Sequence, residues 1–110
     1  MESDHHHKSL SEALLMLENS KEVENFLKDL CTPQELKALK ERWEVCQLLD
    51  EGNLSYREIN KLTGSSTTTI GRVSRFLNDE PYQGYRSLLN KIRKENENVK
   101  EVDNNRRLAM

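Results

Sequence analysis

The sequence predicts an all-α fold of about six helices, and three observations support this prediction. Apolar residues recur at helical spacing, and no useful stretch alternates between apolar and polar residues as a strand would. Capping sequences precede several of these apolar stretches. A length of 110 residues is typical of one domain. We therefore expect one domain over residues 9–96, with flexible segments at residues 1–8 and 97–110.

The first part of the domain is predicted to form two short helices. Ser9 and Glu12 have the spacing of a capping box, in which each side chain accepts a hydrogen bond from the other residue's backbone amide. Asn19-Ser20 interrupts the helical pattern, and a second apolar stripe then continues to Leu30. The apolar positions of the two helices are Leu10, Leu14, Leu17, Val23, Phe26, Leu27 and Leu30.

A longer third helix and a final helix flank the centre of the chain. Thr32-Pro33-Gln34-Glu35 combines an N-cap threonine, a proline at the first helical position and a capping-box glutamate. The helix should run to Gly52, about five turns, with Trp43 as a core or interface anchor. Asp79-Glu80-Pro81 predicts the start of the final helix.

Residues 55–78 predict a helix-turn-helix. Ser55 and Glu58 form a capping box, an apolar stripe of Ile59 and Leu62 follows, and Gly64 ends the first helix. Ser66 can cap the second helix, in which Ile70, Val73 and Leu77 share the inward face. Thr68, Arg72 and Arg75 share a different, outward face. This motif has a net charge of +3 in a chain of −2, which indicates a surface that could contact phosphates, although solvated basic residues on a helical hairpin have the same pattern.

Composition and residue types bear on oligomeric state, catalysis, metal binding and membrane insertion. Hydrophobic residues make up 35% of the chain, below the roughly 45–50% usual in globular domains, which favours a partner that completes the core. The sequence contains no paired carboxylates, nucleophile–base set or metal motif, and we predict neither an enzyme nor a cofactor. Its only histidines, His5 to His7, are adjacent and typical of a flexible terminus or a purification tag. Cys31 and Cys46 have no partner at metal-ligand spacing, which is consistent with reduced thiols in the cytoplasm. We expect no membrane span.

Three segments resemble the bacterial Trp repressor superfamily, and in particular its YerC-like branch. These segments are Leu-Cys-Thr-Pro-Gln-Glu at 30–35, Leu-Leu-Asp-Glu-Gly-Asn-Leu-Ser-Tyr-Arg-Glu at 48–58 and Thr-Thr-Ile-Gly-Arg at 68–72. The resemblance covers about residues 30–81 without a gap. It implies an intertwined homodimer whose second motif helices enter successive major grooves, about 34 Å apart.

The resemblance also assigns the positions that contact DNA. By position, Arg57, Thr67, Thr68 and Thr69 correspond to residues that contact operator DNA in the family. Asn60 and Gly71 occupy contact positions where the family has a lysine and a threonine, so base preference cannot be transferred. The outward arginines Arg72 and Arg75 complete the predicted DNA-binding set.

The family's tryptophan pocket is only partly matched. Thr32, Arg42 and Arg72 correspond to a threonine and two arginines that help to hold tryptophan in the family. Val73 and Phe76 stand where the family has a glycine and a serine that leave space for the ligand. Both are also expected inward positions of the second motif helix, which predicts a core that excludes tryptophan.

These observations predict a sequence-specific DNA-binding regulator, and specifically a repressor that does not use tryptophan. Two alternatives remain at this point. The motif could be the scaffold of a protein-interaction module, or the regulator could respond to a different small ligand. A steep dependence of DNA affinity on salt would separate DNA binding from the interaction module.

Overall fold

The computed structural model describes residues 7–108, and within that range it contains six α-helices and no strand. The predicted all-α fold is therefore confirmed. The helices are α1 Leu10–Leu15, α2 Ser20–Leu30, α3 Pro33–Glu51, α4 Tyr56–Thr63, α5 Thr67–Asn78 and α6 Gly84–Leu108. The chain divides inside α3 into two compact units, Met1–Leu39 and Lys40–Met110. The single domain over residues 9–96 therefore stays a prediction. His5 and His6, with most of the predicted flexible segment 1–8, lie outside the described residues.

The first unit has well-capped helices but no core of its own. Ser9 and Glu12 form the predicted capping box on α1, and the Asn19 side chain accepts the Glu22 amide at the start of α2. Thr32 and Glu35 form a second capping box at the start of α3. None of residues 7–39 is buried, and Leu10 and Leu30 are 53% and 52% exposed. Local hydrogen bonds thus define these helices, while no residue of their apolar faces is fully buried.

The second unit contains the hydrophobic core. Its buried residues come from four helices and are Val45, Cys46, Ile59, Ile70, Val73, Leu77 and Leu89. Trp43 is half-buried against this core, and its ring stacks on Tyr85 with a centroid distance of 6.4 Å. Burial raises the pKa of the Cys46 thiol to about 11, so this cysteine is a protonated apolar core residue. The core fixes the position of α4 and α5 on α3 and α6.

Two sequence-based expectations about this unit were wrong. Leu62 is 65% exposed, so Ile59 is the buried residue of α4 and Leu62 does not reach the core. The helix has only about two turns, and it contacts the core at one position. The final helix begins at Gly84, three residues after Pro81. Residues 79–83 instead form a turn in which Gln83 adopts a left-handed backbone with φ of 56°, and a helix cannot continue through that conformation.

Helix α6 continues far beyond the core. It remains helical through residues 97–108, where the sequence analysis expects a flexible tail. No glycine or proline follows Gly84, so the sequence contains no strong helix-breaking residue between the core and the end of α6. Every described side chain from Glu95 onward is exposed, and only local helical hydrogen bonds can hold this segment. Its flexibility stays a prediction.

Asp50 at the end of α3 binds two arginines of α6. Its Oδ1 accepts a hydrogen bond from Arg86 Nη1 and its Oδ2 accepts one from Arg93 Nη2, each at 2.7 Å. The Asp50 side chain is 16% exposed, compared with 31% for Arg86 and 52% for Arg93. Charge-assisted hydrogen bonds of this length are among the stronger polar contacts in proteins. Asp50 therefore anchors α6 beside the core.

Replacing Asp50 by alanine should lower the free energy of unfolding by about 1–3 kcal/mol, because the half-buried Arg86 loses its partner. The more exposed Arg93 should contribute little to this loss. Urea unfolding at neutral pH measures the change, and Asp103→Ala, which removes an exposed acid of α6, is the control. Equal stability of Asp50→Ala and the control would contradict the anchoring role.

Candidate nucleic-acid interface

Local hydrogen bonds and one glycine shape the helix-turn-helix. Ser55 and Glu58 cap α4 reciprocally. The hydrogen bond that the Ser55 amide donates to the Glu58 carboxylate, together with the Ser55 side chain, holds the pKa of the Glu58 carboxyl below its usual value. Gly64 ends α4 with φ of 77°, a left-handed conformation that glycine adopts without strain. Ser66 caps α5, because its Oγ accepts a hydrogen bond from the Thr69 amide nitrogen at 3.1 Å. The two helices of the motif are those predicted from the sequence.

Asn60 and Ser65 connect the first motif helix to the turn. Asn60 Nδ2 donates to the Ser65 carbonyl oxygen at 2.6 Å, so this predicted contact residue also stabilises the turn. Ser65 is only 4% exposed, and its Oγ has no hydrogen-bond partner among residues 7–108. Ser65 thus places a small polar side chain at a buried position of the turn.

The predicted DNA-contact residues differ in exposure. The exposed ones are Arg57, Asn60, Thr67, Thr68, Arg72 and Arg75. Thr69 is half-buried, and its Oγ1 accepts a hydrogen bond from Ser66 Oγ at 3.1 Å, so its hydroxyl belongs to the cap of α5. A Cβ at Gly71 would meet nothing within 4 Å, so packing inside the chain does not require glycine there. The open surface of α5 thus presents Thr67, Thr68 and two arginines.

The residues that correspond to the family's tryptophan pocket differ in their surroundings. Val73 is 1% exposed and belongs to the core, which is the location that the apolar stripe predicts. Phe76 is half-buried and lies outside the core cluster, and the guanidinium groups of Arg72 and Arg75 lie over its ring. The inward location expected for Phe76 is therefore only half correct. Thr32 is occupied in the capping box of α3.

Tyr85 is a neighbour of this region that the sequence analysis missed. Burial raises the pKa of its phenol, Cys46 adds to the rise, and the positive charges of Arg42 and Arg72 oppose it. Two arginines that are 30 positions apart in the sequence thus act on the pKa of one phenol. No local sequence pattern could have shown this, since Tyr85 reads simply as an apolar position of the final helix.

Among residues 7–108, no group of three or more His, Cys, Asp and Glu side chains is arranged to hold a metal ion. None of the helices in that range combines the length and apolar character needed to cross a membrane. Both cysteines are free thiols.

Comparison with known proteins finds similarity to an uncharacterized protein and to a Trp operon repressor homolog. A region of 69 residues is 45% identical to the uncharacterized protein YerC of Bacillus subtilis (strain 168), and covers 63% of this chain and 65% of YerC. A region of 67 residues is 36% identical to a Trp operon repressor homolog of Aliivibrio salmonicida (strain LFI1238), and covers 58% of this chain and 62% of that protein. The matched regions thus span somewhat less than two thirds of each relative.

The fold agrees with these sequence matches. The crystal structure of a TrpR-like protein from Eubacterium eligens ATCC 27750 has a TM-score of 0.70 and 37% sequence identity to this chain. That match covers 76% of this chain and 84% of the other. The sequence profile of the family described as Trp repressor protein matches residues 5–93, which include all of α1 to α5 and the first turns of α6. The chain therefore belongs to the Trp repressor family.

Proposed function

We propose that this protein is a transcriptional repressor that binds operator DNA as a homodimer and does not use tryptophan as a corepressor. The observation that carries this proposal is the division of α5 into two faces. Ile70, Val73 and Leu77 are buried, while Thr68 and the two arginines are exposed on the same helix. A fixed helix that displays basic and hydroxyl side chains is suited to contact phosphates and base edges in a major groove.

Charge supports DNA as the partner. Residues 55–78 contain Arg57, Lys61, Arg72 and Arg75 and one acid, Glu58, in a chain with a net charge of −2. All four basic side chains are exposed. Phosphate contacts from such side chains release counterions, so affinity should fall steeply as salt rises. A regulator of chromosomal genes would act in the bacterial cytoplasm.

The uncovered first unit supports a homodimer. Its helices α1 and α2 carry regular apolar stripes, yet none of residues 7–39 is buried within one chain. Leu10, Leu14, Leu15 and Leu30 are exposed. Exposed apolar side chains favour association, and interlocked chains would bury them in a shared core. Trp43, which is half-buried, is expected at or near that shared core. Two matching motifs would then face two half-sites of the DNA.

Sedimentation equilibrium at micromolar concentration should give twice the chain mass of 12.9 kDa. The physical reason is that isolated chains would leave the apolar stripes of α1 and α2 in water. A dilution series that covers nanomolar concentrations, followed by fluorescence of the single tryptophan, would detect dissociation. A homogeneous monomer at micromolar concentration would contradict the dimer.

Selection of bound fragments from the organism's own genome, read by sequencing, tests DNA recognition and identifies the operator. Wild-type affinity for the selected fragments should then be measured at several salt concentrations. We expect a log–log slope of several units. A slope near zero, or no enriched fragment, would instead favour the alternative of a protein-interaction module built on a helix-turn-helix scaffold.

Titration calorimetry with L-tryptophan should show no binding at about tens of micromolar. Val73 is packed in the core at a position where the family has a glycine, and the ring of Phe76 lies against the guanidinium group of Arg72. Entry of an indole would therefore require displacement of packed side chains. Saturable binding in that concentration range, or tighter DNA binding with added tryptophan, would refute this part of the proposal and would leave DNA binding itself intact.

A further inference from the structure

Phe76 holds the two outward arginines of α5 on one aromatic ring. The Cζ atom of Arg72 lies 4.3 Å from the ring centroid, and the Cζ atom of Arg75 lies 5.3 Å from it. Both distances are within the range of about 6 Å over which a cation is attracted to the face of an aromatic ring. Phe76 itself is half-buried, so part of its ring stays available to these side chains.

This contact leaves the hydrogen-bond donors of the arginines available. An aromatic ring attracts a guanidinium group through its π electrons and accepts no strong hydrogen bond from it, in contrast to a carboxylate. Within residues 7–108, Arg72 has no carboxylate at ion-pair distance. Arg75 uses its Nε to bind Glu80 Oε1 at 3.2 Å, so its two terminal nitrogens still point to no carboxylate among the same residues.

The ring also offsets a local electrostatic problem. Arg72 and Arg75 are three positions apart on a helix, a spacing at which like charges repel each other. Both are exposed, and exposed arginines normally sample many rotamers that must be restricted when they bind a phosphate. A shared aromatic surface restricts both side chains before any partner arrives.

We propose that Phe76 is a positioning residue that orients Arg72 and Arg75 toward DNA phosphates. This inference rests on the proposed function, since it needs the α5 face to bind DNA. It gives Phe76 a role that the core does not require, because the buried cluster contains Val73 and Leu77 but not Phe76.

The test compares Phe76→Leu with Phe76→Tyr. Leucine keeps apolar volume but removes the π face, whereas tyrosine keeps the ring. Binding is measured by fluorescence anisotropy on a mixed-sequence duplex of about 30 base pairs, at about 50 to 200 mM salt. Phe76→Leu should weaken binding about three- to tenfold, while Phe76→Tyr stays within about twofold of wild type. The salt slope of Phe76→Leu should equal that of wild type, because both arginines remain.

A second measurement shows whether Phe76 acts through its arginine neighbours. In an Arg72→Ala background, Phe76→Leu should cause a clearly smaller loss of affinity than in wild type, because the closer of the two contacts is already absent. Thermal unfolding of each variant verifies that it is folded at the assay temperature, and Phe76→Met replaces Phe76→Leu if leucine lowers the folded fraction.

The outcomes separate this inference from the proposed function. Wild-type protein that binds DNA with a steep salt dependence, while Phe76→Leu binds equally tightly, would overturn the positioning role alone. The same conclusion would follow if Phe76→Tyr were as weak as Phe76→Leu, or if the loss were as large in the Arg72→Ala background. Wild-type protein that shows no salt-dependent DNA binding would overturn the proposed function, and the inference with it.

Discussion

Val73→Gly should lower the free energy of unfolding by about 3–4 kcal/mol. Val73 is 1% exposed in the core between Ile70 and Leu77, so loss of its side chain leaves a cavity that neighbouring helices cannot readily fill. Glycine inside a helix adds a further penalty of about 1 kcal/mol. Urea unfolding at a fixed protein concentration measures the change, because the stability of a dimer depends on concentration.

Gly71→Ala is the matched control on the same helix. A Cβ at Gly71 meets nothing within 4 Å, so alanine should raise the free energy of unfolding by about 0.5–1 kcal/mol. If the two substitutions change the free energy of unfolding in opposite directions, the loss at Val73 results from its burial and not from a general sensitivity of α5 to substitution. If Val73→Gly unfolded at the wild-type urea concentration, Val73 would not be a core residue and could not exclude tryptophan by its volume.

The core position of Val73 also predicts which variant could regain a ligand site. The double variant Val73→Gly with Phe76→Ser restores the residue types that the family has at these positions. Only this double variant should have space for an indole, and Arg72 would then be released from the Phe76 ring. Calorimetry with L-tryptophan on the double variant, beside wild type, tests this expectation, provided that the variant remains folded.

Arg72→Ala should weaken operator binding by about 1–3 kcal/mol and reduce the salt slope by about one unit if its contact is to a phosphate. Arg72 is exposed on α5, and the ring of Phe76 lies 4.3 Å from its Cζ atom, which favours a defined orientation. Anisotropy titrations at several salt concentrations measure both quantities. Arg57→Ala should have a comparable effect at the start of α4.

Arg106→Ala provides the control for net charge. Arg106 is exposed near the end of α6, and its removal changes the net charge of the chain by the same amount as Arg72→Ala. We expect wild-type affinity within about twofold for this control, because long-range charge effects are screened at physiological salt. If alanine variants of Arg57, Thr68, Arg72 and Arg75 all bound as tightly as wild type, this face of the motif would not be the DNA reader.

Most helix starts were predictable because helix caps are local. The side chains of Ser9, Thr32 and Ser55 each bond the amide of a residue three positions later. Such contacts depend on residue type and spacing alone, so a sequence reveals them without knowledge of the fold. The left-handed glycine at the end of α4 is predictable for the same reason. The start of α6 was not, because the left-handed Gln83 that precedes it has no strong residue signature.

Burial and side-chain partners required the folded chain. The sequence indicated an outward basic face on α5, but it could not show that Phe76 turns toward Arg72 and Arg75 instead of the core. It also gave no reason to pair Asp50 with Arg86, a residue 36 positions away. Helical periodicity defines which side chains share a face, whereas neighbouring helices determine how much of that face is covered. For this reason most helix starts and the outward face of Thr68, Arg72 and Arg75 follow from local patterns, whereas the orientation of the arginines follows from packing. The remaining candidate DNA-contact positions follow from the family resemblance.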